Sequence, residues 1–243
     1  MLKSTYSKYI YKYLTEFFVI VLGISSSFGV ESYRADLEEK ENGLEALISI
    51  NKELIEGQEY YTNRRNTMER DVNIMDLIFN KNHPKRIEKL NEICTTKDDM
   101  DIALLNYRGF TPSKERYNST INEGTLKHID SDNIKILLSK LYVQSLSFIV
   151  GNIEDETIVQ RNIMEHCQKF YPEIVFAYSD NDISIADQIN KILKAVDNDN
   201  HLRAMVRYKF DVMGFKLYFL DQYIDLEKEL RTEINSFLTK NKS

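Results

Sequence analysis

The chain predicts an all-α protein, in which an N-terminal membrane anchor continues into a long helical stalk and an antiparallel helical bundle. Three observations carry that expectation. Only three prolines and eight glycines are spread over 243 residues, too few turn signals for the many short strands of a sandwich. Apolar residues recur at steps of three, four and seven over long proline-free stretches, which is the period of an amphipathic helix. The one run with strand-like residues, Ile174 to Tyr178, is short and has no evident pairing partner. A composition of 42% hydrophobic and 29% charged residues suits a helical body with a substantial core. The expected divisions are an N-terminal segment and anchor over 1–32, a stalk helix over 33–82, and a helical bundle over 83–243 packed with the stalk.

The N-terminal segment opens with Lys3, Lys8 and Lys12 and no acid among them. It leads into an uncharged stretch from Phe17 to Val30, stopped by Glu31. A bilayer core about 30 Å thick needs roughly 20 helical residues, so a spanning helix has to reach back to Tyr13 and take Glu16 with it. Lysines upstream and mostly acids downstream predict a cytoplasmic N-terminus and an outward-facing body. Two other readings fit the same residues. One is a cleavable signal peptide with Ser25 and Ser27 as small residues before a cut near Phe28; the other is a buried core helix. Nothing after residue 31 reads as apolar enough to span again. Tyr6, Tyr9, Tyr11 and Tyr13 fit an interfacial aromatic belt, or else pack on the body.

Glu16 is a candidate for a membrane-embedded partner or ion path, because a charge there is costly; interfacial placement one turn from Lys12 is the alternative. Gly23 with Ser27, and Ser25 with Gly29, form two small-x-x-x-small pairs that would let anchor helices approach closely and self-associate.

From Glu31 a single helix is expected to run to about Phe79. Leu37, Leu44, Ile48, Ile55, Met68, Val72, Met75 and Phe79 form its apolar stripe, acids its solvated faces, and Gly43 and Gly57 its weak points. His83-Pro84 ends it, since the residue before proline is biased away from helix. A short helix then spans Lys85 to Thr95, and Thr96 to Asp99 caps another that runs to Tyr107. Ser113 is expected to cap a helix that Gly124 closes. Asp130 or Ser131 starts a long helix to about Phe170, with a kink at Gly151-Asn152. After Tyr171-Pro172, a helix near Ile183 to Ala195 is followed by Asp197 to Asn200 as the cap of the last helix. There Val206, Phe210, Met213, Leu217, Leu220, Ile224, Ile234 and Leu238 alternate four and three apart as a packing seam, broken by Glu227 and Arg231.

Motifs for chemistry are sparse. His166-Cys167 with Glu165 has metal-type residues, but helix neighbours point in different directions, and no second ligand pair stands at zinc spacing. Asp180-x-Asp182 and Asp197-x-Asp199 lack the glycine and glutamate of a calcium loop and read as helix caps. No phosphate loop, nucleophile elbow or Cys-x-x-Cys occurs. No catalytic residue, metal or cofactor is therefore expected. A net charge of −6 argues against nucleic acid, which needs concentrated cationic surface. Cys94 and Cys167 would pair only in an oxidising compartment and at close backbone approach; otherwise they are two free thiols.

The run from Glu16 through Gly23 to Glu31 resembles the opening of a large family of bacterial single-pass membrane proteins of unknown function, abundant in Bacteroidota. Phe110-Thr111-Pro112, followed by Tyr117, Gly124-Thr125-Leu126, Ile129 and Leu141-Tyr142, is similar to that family's middle motif of a helix, a glycine turn and a longer helix. Asn198 to Val206 and the helix after it resemble its C-terminal end. The sequence departs from the family at Ser25, Ser26 and Ser27, which replace more apolar residues, and in lacking a tryptophan after the anchor, where Tyr33 stands nearby. The resemblance implies an inner-membrane protein with a periplasmic helical body and supplies no activity. The function expected is a membrane-anchored scaffold, sensor or accessory protein that meets the lipid bilayer and either a protein partner or further copies of itself. The alternatives are a membrane effector assembling through its anchors, and a hydrolase or ligand-binding helical domain.

Overall fold

One helix, α1 (Leu2–Phe79), runs from the apolar N-terminal segment to the far end of the bundle. The computed structural model describes residues 2–177 and 182–241, with side chains from residue 14 onward, and no strand occurs among them. Tyr6, Tyr9, Tyr11 and Tyr13, together with Lys3, Lys8 and Lys12, therefore have side chains outside the described residues, as does Asp180. From 14 to 42 every residue of α1 is exposed; from Gly43 onward it is a member of the bundle. Pro84 stops it as expected, and buried Arg86 then caps its open end. The Arg86 guanidinium donates to the carbonyls of Leu77 and Ile78 and pairs with Asp197 at 2.8 Å. Those carbonyls have no helical partner of their own.

The short elements follow their caps. Helix α2 (Arg86–Ile93) starts after Lys85, whose φ is 57°. Helix α3 (Lys97–Leu105) is capped by Asp99, whose carboxylate accepts from the Thr95 and Thr96 N–H groups at 2.9 Å. Helix α4 (Glu115–Asn122) ends before Gly124, at φ 71° where a side chain would be strained, and a 3-10 turn follows over Thr125–His128. Ser131 caps α5 (Asp132–Ser139), which runs through a π turn (Lys140–Ser145) into α6 (Leu146–Phe170). The irregularity in this stretch is that π turn; helix continues across Gly151 and Asn152. The strand-like residues Ile174 to Ala177 are helical instead, in α7 (Pro172–Ala177), and Tyr178 lies outside the described residues. Pro172 sits at the first position, where its missing N–H costs nothing. Ser184 caps α8 (Ile185–Asn198), and Asp199 caps α9 (Asn200–Asn241).

Helix α9 returns antiparallel along α1 and α6. Two apolar cores result. A distal core gathers Ile74, Ile78, Leu90, Leu104, Ile163 and Val206; a proximal one gathers Leu47, Leu54, Tyr61, Leu138, Leu220 and Ile234.

Both long helices use a seam rotated from the expected one. In α9 Leu202, Val206, Lys209, Met213, Lys216, Leu220, Tyr223, Glu227, Leu230 and Ile234 are buried in an unbroken four-three alternation, with Val212 buried beside it. Half of the expected seam is shared, whereas Phe210, Leu217 and Ile224 lie only partly buried beside it. In α1 Leu37, Ile48 and Ile55 are exposed, while Leu47, Ile50, Glu53, Leu54 and Asp71 are buried. The true stripes contain charged residues, which an apolar periodicity steps around. The helix runs through Gly43 and Gly57, and both have a packing role. A Cβ on Gly43 would strike the His128 carbonyl, and one on Gly57 would strike the Tyr61 side chain. Both glycines permit close approach.

Candidate functional site

Among the described residues two features stand out chemically, an apolar helix that nothing covers and a column of polar groups inside the bundle. The first is the N-terminal part of α1. Phe17, Phe18, Val19, Ile20, Leu22, Ile24 and Phe28 are all exposed, and the most apolar window of this helix is 0% buried. Glu16 lies in that exposed stretch. The Ser27 hydroxyl donates to the Gly23 carbonyl at 2.9 Å, within its own helix. A side chain added at Gly23 or Gly29 would meet open space. The regular helix turns roughly 100° per residue, so the pair Gly23 and Ser27 lies about 200° from the pair Ser25 and Gly29. The two pairs face opposite ways, and a single neighbouring helix can meet only one of them.

A second stretch, Asp132–Phe170, is also long and apolar enough by length and composition to cross a membrane, contrary to the expectation that none follows residue 31. Its most apolar window is 44% buried in the bundle, and the inner face of the stretch supplies Ile134, Leu138, Leu141, Ile149 and Ile163 to the two cores.

The polar column begins at Glu53 on α1. Its carboxylate accepts from Ser113 Oγ at 2.9 Å, the Arg116 N–H at 2.9 Å and Tyr142 Oη at 3.1 Å. Ser113 is thus not the cap of α4; Glu53 reaches across from another helix to satisfy that end. An anion is favoured there by the orphan N–H groups of the helix start. Tyr142 stacks face to face on Tyr117, with centroids 4.2 Å apart and planes at 5°. Burial, and then the Glu53 charge, push the Tyr142 hydroxyl well above its ordinary value. Tyr117 thus reaches this site through its stacking on Tyr142, while Gly124 makes the turn and Leu126 packs on the proximal core. Beside them Glu53, Glu56, Gly57, Tyr60, Thr111 and Arg116 line a cleft of about 310 Å³. With its oxygens already taken by three donors, Glu53 acts here as a clamp between α1, α4 and the π turn.

Deeper along the column, Asp71 pairs with Arg108 and Glu156 with Lys216. Lys209 Nζ donates to the carbonyls of Leu104 at 3.0 Å and Asn106 at 2.6 Å, and Lys216 Nζ to that of Arg108 at 3.4 Å. Residues 104–108 are the end of α3 and the connection after it, whose carbonyls have no helical partner. A buried carbonyl without a donor is costly; the two lysines supply donors to Leu104, Asn106 and Arg108, and Gln160 Nε2 donates to Leu105 at 2.6 Å. Burial pushes the Lys209 ammonium down to about 7, with the Glu156 charge opposing it. Apolar periodicity in the sequence does not single out Glu53, Glu156, Lys209 or Lys216. The available signal was the unbroken four-three spacing from Leu202 to Ile234, which runs through both lysines.

At the distal end His166 Nε2 and Tyr171 Oη meet Asp199 Oδ2 at 2.7 and 3.1 Å, while Asp199 Oδ1 accepts the N–H groups of His201 and Leu202. His166 is therefore committed to a carboxylate. Among the described residues no group of three or more His, Cys, Asp or Glu is arranged to hold a metal ion. Burial raises the Asp199 carboxyl, but the bonds from His166, Leu202, Tyr171 and His201 outweigh it and hold the group at about 2, below its ordinary 3.8. A depressed carboxylate contributes stability above its unfolded value and loses it as pH falls through the folded one. Acid unfolding is thus expected to remove on the order of 2 kcal/mol between about pH 4 and 2. Asp199→Asn should flatten that part of the stability profile, and an unchanged profile would exclude the linkage. Cys94 and Cys167 are free thiols in the distal core, each pushed up by burial to about 12, which makes both poor nucleophiles at neutral pH. In comparison with known proteins, no family model matches the chain, and no curated protein or solved structure matches it.

Proposed function

We propose that this protein is a single-pass membrane protein whose helical body works by protein contact, as a scaffold, sensor or accessory subunit. The observation that carries the reading is the exposed apolar helix from Leu14 to Val30, which no other segment among the described residues covers. So many contiguous apolar side chains are costly in water, and a bilayer is the cover that fits a helix of this length. The helix continues without interruption into the bundle, so the anchor is mechanically joined to the body rather than tethered by a linker. The resemblance to a bacterial single-pass family supports an inner-membrane location, and the upstream lysines support a cytoplasmic N-terminus with the body in the periplasm. The polar column supports a contact role over catalysis, because its groups are engaged with one another and with the backbone.

Fusion reporters test the topology. A reporter active only in the periplasm should work when fused after Ser243 and fail when fused before Lys3. The reverse pattern, or a body recovered in the soluble fraction without detergent, would overturn the anchor. N-terminal sequencing that starts near Phe28 would assign the segment to a signal peptide instead. Self-association is the further expectation from the small pairs. Gly23→Leu or Ser27→Leu should reduce crosslinking between copies while leaving insertion intact.

A further inference from the structure

Glu53 is a buried carboxylate without a counter-cation. It is 3% exposed, and among the described residues it enters no ion pair. A glutamate is rarely enclosed in that way unless a positive charge meets it. All three of its donors are neutral: the Ser113 hydroxyl and the Arg116 backbone N–H on Oε2, and the Tyr142 hydroxyl on Oε1. A carboxylate offers about four acceptor positions, so one on Oε1 stays open. The basic groups nearby are engaged elsewhere or lie in solvent. The Arg116 guanidinium donates to the Ser49 carbonyl at 3.1 Å and pairs with Glu56 at 3.0 Å, and Lys52 also pairs with Glu56, at 3.8 Å. Arg64 lies 5.4 Å from the centre of the Tyr60 ring, and Lys114 is exposed. The cleft of about 310 Å³ beside Glu53 holds a second group without a partner. Tyr61 is 2% exposed, and its hydroxyl has no hydrogen-bond partner at normal geometry. That hydroxyl lies against Gly57, where an added Cβ would strike it, and both residues line the cleft. The neighbouring Tyr223 hydroxyl is equally without a partner; a contact between the two would still leave a lone pair on Tyr61 Oη.

We infer that this cleft binds a primary ammonium on a short alkyl chain, with Glu53 Oε1 as its counter-anion and Tyr61 Oη as its second acceptor. An ammonium is a compact charge with three donors, and one carboxylate beside one hydroxyl suits it. A metal ion asks for several ligands of the His, Cys, Asp or Glu type, and no such group occurs among the described residues. The mouth of the cleft is mixed in charge, with Glu56 and Glu115 beside Arg116, so the selection rests on the buried carboxylate at its base. The Tyr60 and Tyr61 rings and Gly57 give the alkyl chain an apolar wall. The inference goes beyond the contact-based reading by giving the body a ligand to sense, and it does not depend on the anchor.

The test uses the full chain in detergent micelles with its tyrosine rings labelled with carbon-13. The Tyr60 and Tyr61 resonances are assigned by their loss in the phenylalanine variants, and exposed Tyr218 serves as a distant control. Butylammonium, butan-1-ol and butyrate, three probes of similar shape, are titrated in turn. Butylammonium should shift both cleft resonances saturably, leave Tyr218 in place, and bind roughly tenfold more tightly than either of the others. Tyr61→Phe removes a hydroxyl that has no partner and keeps the ring, so it should weaken binding read at Tyr60 by roughly tenfold. Glu53→Gln should abolish the preference over butan-1-ol. Because Glu53 also clamps α4, that variant can fail to fold, and Thr111→Trp then serves: it fills the cleft without touching Glu53 and should remove binding. No saturable shift with butylammonium, equal affinity for butan-1-ol, or full affinity in Tyr61→Phe or Thr111→Trp would each overturn the proposal. A body found soluble without detergent would overturn the anchor and leave this titration unchanged, so the two failures remain distinguishable.

Discussion

Replacing Glu156 by alanine is expected to destabilise the body by about 3–5 kcal/mol, the cost of leaving one partner of a buried ion pair uncompensated. Glu156 and Lys216 are almost fully enclosed, with 1% and 2% of their side chains exposed. Removing the carboxylate strands an ammonium whose other recorded contact is the Arg108 carbonyl. The complementary double change, Glu156→Leu with Lys216→Met, should recover most of the loss, because two well-packed apolar side chains avoid the desolvation that the pair incurs. A residual penalty of about 1–3 kcal/mol is expected from the carbonyl of Arg108, which then lacks its donor. Denaturant titration in detergent gives the comparison through the midpoint, provided the slope is unchanged. A loss under about 1 kcal/mol for Glu156→Ala would show that the pair is hydrated and the column open to solvent.

Leu220→Ala is expected to cost about 2–5 kcal/mol, and Leu217→Ala about half as much or less. Leu220 is fully buried in the proximal core, whereas Leu217 packs against its margin. Apolar periodicity alone puts both on one seam and predicts equal losses. The inequality is therefore a direct test of the register of α9, and equal losses would restore the seam that runs through Phe210, Leu217 and Ile224.

The helical class, the extent of α1 to Phe79, the stop at Pro84, the caps at Thr96, Ser131 and Asp199 and the glycine turn at 124 were all legible from the chain. Each depends on chemistry within a few residues: a missing N–H at proline, a side-chain oxygen facing orphan N–H groups, a positive φ that suits glycine. The start of α7 at Pro172 is equally local, yet the β-branched residues after it look strand-like, and no strand among the described residues offers them a pairing edge.

The interior was not legible in this way, because whether a charged residue is inside depends on a partner far away in the chain. Lys216 is buried because Glu156 lies opposite it, and Lys209 because the carbonyls at the end of α3 would otherwise have no donor. Glu53 is inside because the start of α4 and Tyr142 converge on it. Those pairings span 60 to 105 residues, and a periodicity that admits only apolar side chains rotates away from them. The amino-acid order settles where helices begin, end and turn, through contacts between near neighbours. Which face of each helix points inward is decided only when the helices pack, since a buried charge is tolerable only where packing delivers its counterpart.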